Sequence, residues 1–207
     1  MHSFITYLKE RSYKPLPGKS AQMGMAPHTD VRDRLHIQPG VRHNGVLIVL
    51  HENSGHIAAL YTLRSDALND HSGQICFPGG GSEPHETLEM AAIRELREEV
   101  GVALDPEEIL LGLTPLYVPP SNNVIHPFVA YRRNLPDLEL QQSEVSEAFP
   151  VHLDELTDVK KMKIENWEIM NTSTKVPFWN IHHVPLWGAT AMITNELVHL
   201  YNEFTGH

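Results

Sequence analysis

From Pro84 to Gly101 the chain holds its clearest helical period, and that helix carries its charge at the wrong end. Ala92, Ile93, Leu96 and Val100 fall on one side at about 100° per residue, so this side must face a core. Ser82 can cap the segment, Pro84 suits a first turn and Gly101 supplies the stop, which predicts a helix over 84–100. Glu95, Glu98 and Glu99 share the adjoining arc at i, i+3 and i+4 spacing. Like charges so placed cost about 0.2–0.5 kcal/mol per pair. Carboxylates in a last turn also oppose the macrodipole, by roughly 0.3–1 kcal/mol each when exposed. Local helix physics therefore selects against the cluster. It reads either as a solvated acidic face relieved by Arg94 and Arg97, or as a hard-cation site in which Mg2+ takes carboxylate oxygens.

Strands dominate the rest. Periodicity predicts them at 45–50, 56–63, 74–77, 109–118, 124–132, 147–152, 159–170 and 176–184, with a stop at Pro78-Gly79-Gly80-Gly81. A short helix fits 2–11 and a last one 188–204, whereas 12–44, rich in Pro, Gly and His, shows no clear period. The lack of regular βα alternation favours a mixed sheet flanked by helices. At 207 residues, one domain spanning 1–207 is expected, with 1–44 as an N-terminal extension packed on it.

A formal charge of −10 argues against binding nucleic acid or an anionic membrane by counterion release. A polyanionic substrate would need a local cation. The single cysteine, Cys76, permits no internal disulfide and fits a reducing compartment. The apolar runs are too short to span a bilayer and no targeting signal is apparent, so a cytoplasmic protein is expected.

The cluster belongs to a longer pattern: Gly80, five residues, Glu86, seven residues, Arg94-Glu95-Leu96, one residue, Glu98-Glu99, one residue, Gly101-Val102. This resembles a complete Nudix box. The resemblance implies an α/β fold, the Nudix-type α/β/α sandwich with a mixed β-sheet, and Mg2+- or Mn2+-dependent hydrolysis of a diphosphate. It implies that Glu95, Glu98 and Glu99 hold metal, helped by a backbone carbonyl of Gly79 or Gly80, that Arg94 orients the glutamates and that Glu86 supports them. The general base stays open between a box glutamate, Glu98, and a later one, Glu144 or Glu147.

Upstream, Leu60, Thr62, Arg64-Ser65, Gly73 and Phe77-Pro78-Gly79-Gly80 are similar, in register, to the motif before the box in the coenzyme A pyrophosphatase branch. Tyr61 departs from that motif mildly. Asn69 stands in place of an arginine, removing a fixed charge and a fork of donors. The resemblance implies coenzyme A or an acyl-coenzyme A as substrate, with Arg64 and Gly80 at the phosphates. The enzyme alternative is the same chemistry on ADP-ribose, a dinucleotide or a nucleoside triphosphate; the alternative of another class is a non-catalytic Nudix ligand-sensing module. The expected partner is a small-molecule nucleoside diphosphate derivative, not nucleic acid or membrane, and the protein a monomer or homodimer. His71, His126, His182 and His183 read as ordinary polar positions, Cys76 as packing, and Trp179 and Trp187 as core or dimer contacts.

Overall fold

The apolar run Val46–Leu50 becomes the middle of a sheet. In the computed structural model, which describes residues 3–28, 37–67, 72–169 and 171–206, it lies in β1 (Arg42–Asn53). β2 (His56–Arg64) returns antiparallel to β1 through Ser54 and Gly55, both at positive φ. On its other side β1 runs parallel to β7 (Asn123–Tyr131), which pairs antiparallel with β5 (Ile109–Gly112) and β6 (Leu116–Val118). β3 (Ile75–Cys76) and β8 (Val145–His152) flank β2, and β4 (Gly79–Gly81) pairs with β1. The sheet is mixed, as expected.

Alternation along β1 sorts its side chains into two cores. Leu47 and Val49 pack with Leu60, Ala130 and with Leu96 and Val100 of α3 (Leu88–Val100). Ile48 and Leu50 pack on the opposite face with Tyr61, Val129, Phe4 and Leu8 of α1 (Ser3–Arg11), and Ile193 and Leu197 of α5 (Gly188–Thr205). The result is helix, sheet and helix in three layers, each fully buried leucine contributing roughly 1.5–3 kcal/mol. A second, three-stranded sheet, β9 (Met162–Ile169), β10 (Thr172–Trp179) and β11 (Leu186–Trp187), adjoins α5.

The helix predicted over 84–100 starts later, at Leu88. His85 has φ 70° and the Glu86 N–H closes a turn on the Glu83 carbonyl, so Ser82 and Pro84 stand outside it. Thr87 is the cap, its Oγ1 accepting the Met90 N–H at 3.2 Å. Gly101 ends the helix at φ 76°, as its position predicts. The strand predicted over 109–118 is two, β5 and β6, and the glycine run predicted to halt a strand is itself β4. The strand predicted over 176–184 sits earlier, as β10. Two short helices escaped the periodicity: α2 (Gly18–Met23), within 12–44, and α4 (Leu153–Thr157).

The N-terminal helices are fastened to α5. Phe4 packs on Tyr201 and Phe204 with centroids 5.0 and 5.3 Å away. Glu196, wholly buried, accepts the Gly18 N–H at 3.0 Å and Gln22 Nε2 at 2.9 Å. Among the described residues no helix is long and apolar enough to cross a membrane.

Candidate active site

α3 comes unusually close to the sheet, and two glycines allow it. Gly45 of β1 pairs with Gly80 of β4 beneath the helix. A Cβ on Gly45 would stand 2.0 Å from the Leu88 carbonyl oxygen; one on Gly80 would stand 2.3 Å from Glu95 Oε1. The helix therefore lays the Glu95 carboxylate directly on the Gly80 backbone.

Arg94 spends every donor it has. Nε and Nη2 bind Glu86 Oε1 and Oε2, each at 3.1 Å, and Nη2 also reaches the Gly81 carbonyl at 3.0 Å. Nη1 donates to Glu95 Oε1 and Glu98 Oε2, both at 2.9 Å. These bonds engage all the N–H groups of a guanidinium, so Arg94 clamps the box loop to the helix and has none left for a ligand. The Glu86 carboxylate is held below its ordinary range by Arg94 first, and then by the Glu83 N–H.

Oxygens of Glu95, Glu99 and Glu144 all lie within 4.8 Å of one another. Glu99 is 5% exposed, and burial pushes its pKa up to about 8. A hydrogen bond from the Gly79 backbone opposes that rise, Glu95 and Glu144 add to it, and the Arg64 charge lowers it. Glu144 arrives on the loop before β8. The Glu139 and Gln141 N–H groups bond the Val100 and Glu99 carbonyls at 3.0 and 2.9 Å, which answers two orphan carbonyls of α3. The Ser65 N–H then holds the Glu144 carbonyl at 2.8 Å. Glu98, grouped with Glu95 and Glu99 by its spacing, is not one of this trio; its side chain is 58% exposed and tied to Arg94.

Arg64 ends β2 beside this trio. Its charge acts on Glu99 and on Cys76, and its Nε is buried without a hydrogen-bond partner among the described residues. Desolvation pushes the Cys76 thiol up to about 11, and Thr62 Oγ1 sits 3.1 Å from Sγ, so the thiol is a packing group at neutral pH. Asn69 and His71 lie outside the described residues. His126 meets His43 at 3.0 Å, while Glu147 meets His182 at 3.2 Å. Trp179 is buried and donates to the Leu156 carbonyl at 3.1 Å; Trp187 lies edge-on to Trp167.

Three carboxylates, buried at Glu99, half-buried at Glu95 and exposed at Glu144, with backbone at Gly79 and Gly80 beside them, form an oxygen-rich donor set suited to a hard divalent cation. Such an ion would also offset the burial, and then the like charges, that raise Glu99. The residue that sequence reasoning missed is Gly45. Its only signal was a glycine at the head of the Val46–Leu50 run, where a strand interior would ordinarily exclude it.

Residues 41–172 match the family profile described as NUDIX domain. Over 122 residues the chain is 36% identical to a peroxisomal coenzyme A diphosphatase of Caenorhabditis elegans, covering 58% of this chain and 52% of that protein. Over 162 residues it is 33% identical to a mitochondrial coenzyme A diphosphatase of Homo sapiens, covering 75% of this chain and 67% of that protein. The match thus spans about half the length of the first of these relatives. A solved MutT/nudix family protein from Enterococcus faecalis shares the fold, with TM-score 0.54 and 15% identity over 99% of this chain and 70% of that one.

Proposed function

The chain belongs to the Nudix family, and on that premise we propose that it is a divalent-metal-dependent pyrophosphohydrolase of coenzyme A or acyl-coenzyme A. The products are adenosine 3′,5′-bisphosphate and a 4′-phosphopantetheine. The observation that carries the hydrolase reading is the meeting of Glu95, Glu99 and Glu144 around a buried carboxylate whose pKa is pushed up to about 8. The substrate rests on the upstream run through Phe77-Pro78-Gly79-Gly80 and on the two relatives named as coenzyme A diphosphatases.

Glu95, Glu99 and Glu144, with a Gly79 or Gly80 carbonyl, would hold Mg2+ or Mn2+. Such an ion supplies charge neutralisation at a phosphoryl oxygen and acidifies water. Arg94 fixes Glu95 and Glu98 through two of its five bonds, spends the other three on Glu86 and the Gly81 carbonyl, and leaves phosphate binding to Arg64, whose charge already acts on Glu99. Gly80 admits a phosphate close to the backbone. Glu98, anchored through Oε2 and open to solvent, is the proton acceptor, with Glu144 the alternative. The partner is a small nucleoside diphosphate derivative, and the protein works as a monomer or homodimer. The relatives are named for a peroxisome and a mitochondrion; a cytoplasmic place for this chain rests on its sequence alone.

The test is turnover of coenzyme A, ADP-ribose, a dinucleotide and a nucleoside triphosphate by the purified chain with Mg2+ or Mn2+. Coenzyme A should be hydrolysed fastest. Coenzyme A turning over no faster than ADP-ribose would overturn the substrate, and hydrolysis of none of them would overturn the enzyme.

A further inference from the structure

A second set of ligand-type side chains lies on the other face of β8. Glu147 pairs with Leu63, and Phe149 with Tyr61, in the register of β2 and β8. Leu63 and Tyr61 belong to the core under α5, whereas Val145 and Ala148 belong to the core under α3. Glu147 therefore points away from the carboxylate trio. Its Oε1 lies 3.2 Å from His182 Nε2. The His182 ring is stacked on Phe149, with centroids 4.2 Å apart and planes within 7°, and its side chain is only 12% exposed. The His183 ring lies 4.0 Å from that of His182. One ligand atom from each of Glu147, His182 and His183 falls within 4.8 Å of the other two.

We propose that Glu147, His182 and His183 form a second cation site, selective for a borderline transition ion such as Zn2+ over Mg2+. Two imidazoles and one carboxylate are a donor set that Zn2+ accepts and that Mg2+, which requires oxygen, does not. A hydrogen bond accounts for Glu147 and His182 but does not require a ring nitrogen of His183, next in the chain, to converge on them. Stacking on Phe149 fixes one ring before any ion arrives, so less ordering is needed on binding. The Val184 N–H approaches His182 Nδ1 at 3.4 Å, a long contact that yields when Nε2 takes a metal and Nδ1 holds the proton. Three protein ligands leave coordination positions for water or an anion. Three residue steps, from Glu144 on the loop before β8 to Glu147 in it, span at most about 11 Å, so the two sites are close neighbours on opposite sides of the sheet. No box residue takes part, and the site stands whether or not the chain is a hydrolase.

Chelator-treated full chain is titrated with Zn2+ by calorimetry and with Co2+ by its visible absorption, in wild type, Glu95→Gln/Glu99→Gln and His182→Asn/His183→Gln. The glutamine variant should keep one Co2+ site with strong visible bands that excess Mg2+ does not displace. The histidine variant should lose that site, with affinity falling ~100-fold or more, since even outer-sphere changes cost up to that much. His183→Gln alone keeps the His182–Glu147 pair and an exposed position, so it should fold normally and still bind at least ~10-fold more weakly. Unchanged Zn2+ and Co2+ binding in the histidine variants, or none in the glutamine variant, overturns the proposal.

Discussion

Two buried glutamates, one on each side of the sheet, are treated in opposite ways. Glu196 on α5 has no exposed surface and accepts from the Gly18 N–H, Gln22 Nε2, Thr114 Oγ1 and the Thr114 N–H, at 2.7–3.2 Å. Its charge is spread over neutral donors, and those bonds tie α2 and the loop at Thr114 to α5. Glu99 on α3 is 5% exposed, yet among the described residues it has one backbone donor, at Gly79, and two carboxylate neighbours. A buried carboxylate left short of partners costs several kcal/mol. The fully bonded acid holds structure together. The underbonded one, beside two acids of its own kind, is left to be neutralised by a proton or by a cation.

Substitutions should therefore separate stability from activity along this line. Glu99→Gln should lower kcat/KM by roughly 10²–10⁴-fold, the range for losing a charge-stabilising or proton-moving group, while the metal-free protein stays folded. Glu196→Ala should do the reverse. Four donors lose their acceptor, costing about 3 kcal/mol in denaturant melts, while kcat of the folded fraction stays within a few-fold. A folded Glu196→Ala variant as inactive as Glu99→Gln would break the contrast.

This difference was only half legible in the sequence. Glu95 and Glu99 stood out because helix spacing put like charges together at a C-terminus, a conflict confined to one turn and visible without tertiary contacts. Glu144 could be flagged only as a later acid; its place depends on Glu139 and Gln141 bonding the end of α3. Glu196 showed nothing, since its donors at Gly18 and Gln22 lie 178 and 174 residues away. The start of α3 was misread for a related reason. Glu86 spends its side chain on Arg94 and the Glu83 N–H rather than in a first helical turn, an arrangement that binary patterning cannot express. The layers themselves were accessible, because alternation in β1 and a 3.6 period in α3 and α5 are local properties.

The cation should act on one acid and not the other. At a concentration of about 100 times Kd, Mg2+ or Mn2+ should add roughly 2.7 kcal/mol to wild type and to Glu196→Ala, and little to Glu99→Gln. The gain should grow with pH. Glu99 is raised from 4.5 to about 8, so between these values the folded, metal-free protein holds a proton that the unfolded chain has released. That proton's contribution to stability is full below about 4.5 and is lost as pH rises toward about 8. Metal takes the anion, so binding near pH 7 should release a proton, measurable by calorimetry in buffers of different ionisation enthalpy. No proton release would mean that Glu99 is already charged, and the contrast with Glu196 would lose its basis.

The smallest expected effect tests how closely the trio is held. Gly45 and Gly80 are register partners, but an added methyl meets different neighbours. At Gly45 it strikes the α3 backbone at the Leu88 carbonyl, 2.0 Å away; at Gly80 it strikes the tip of the Glu95 side chain, 2.3 Å away. A carboxylate tip can swing aside where a helix cannot, so Gly80→Ala should cost less than about 1 kcal/mol in stability. Glu95 would then leave its place beside Glu99 and Glu144, and half-maximal activation by Mg2+ should need about 10-fold more ion. An acid that serves only the fold would tolerate such a shift once stability was kept. If Gly80→Ala melts like wild type and is activated at the same Mg2+ concentration, Glu95 is not a ligand, and the cation must rest on Glu99 and Glu144 alone.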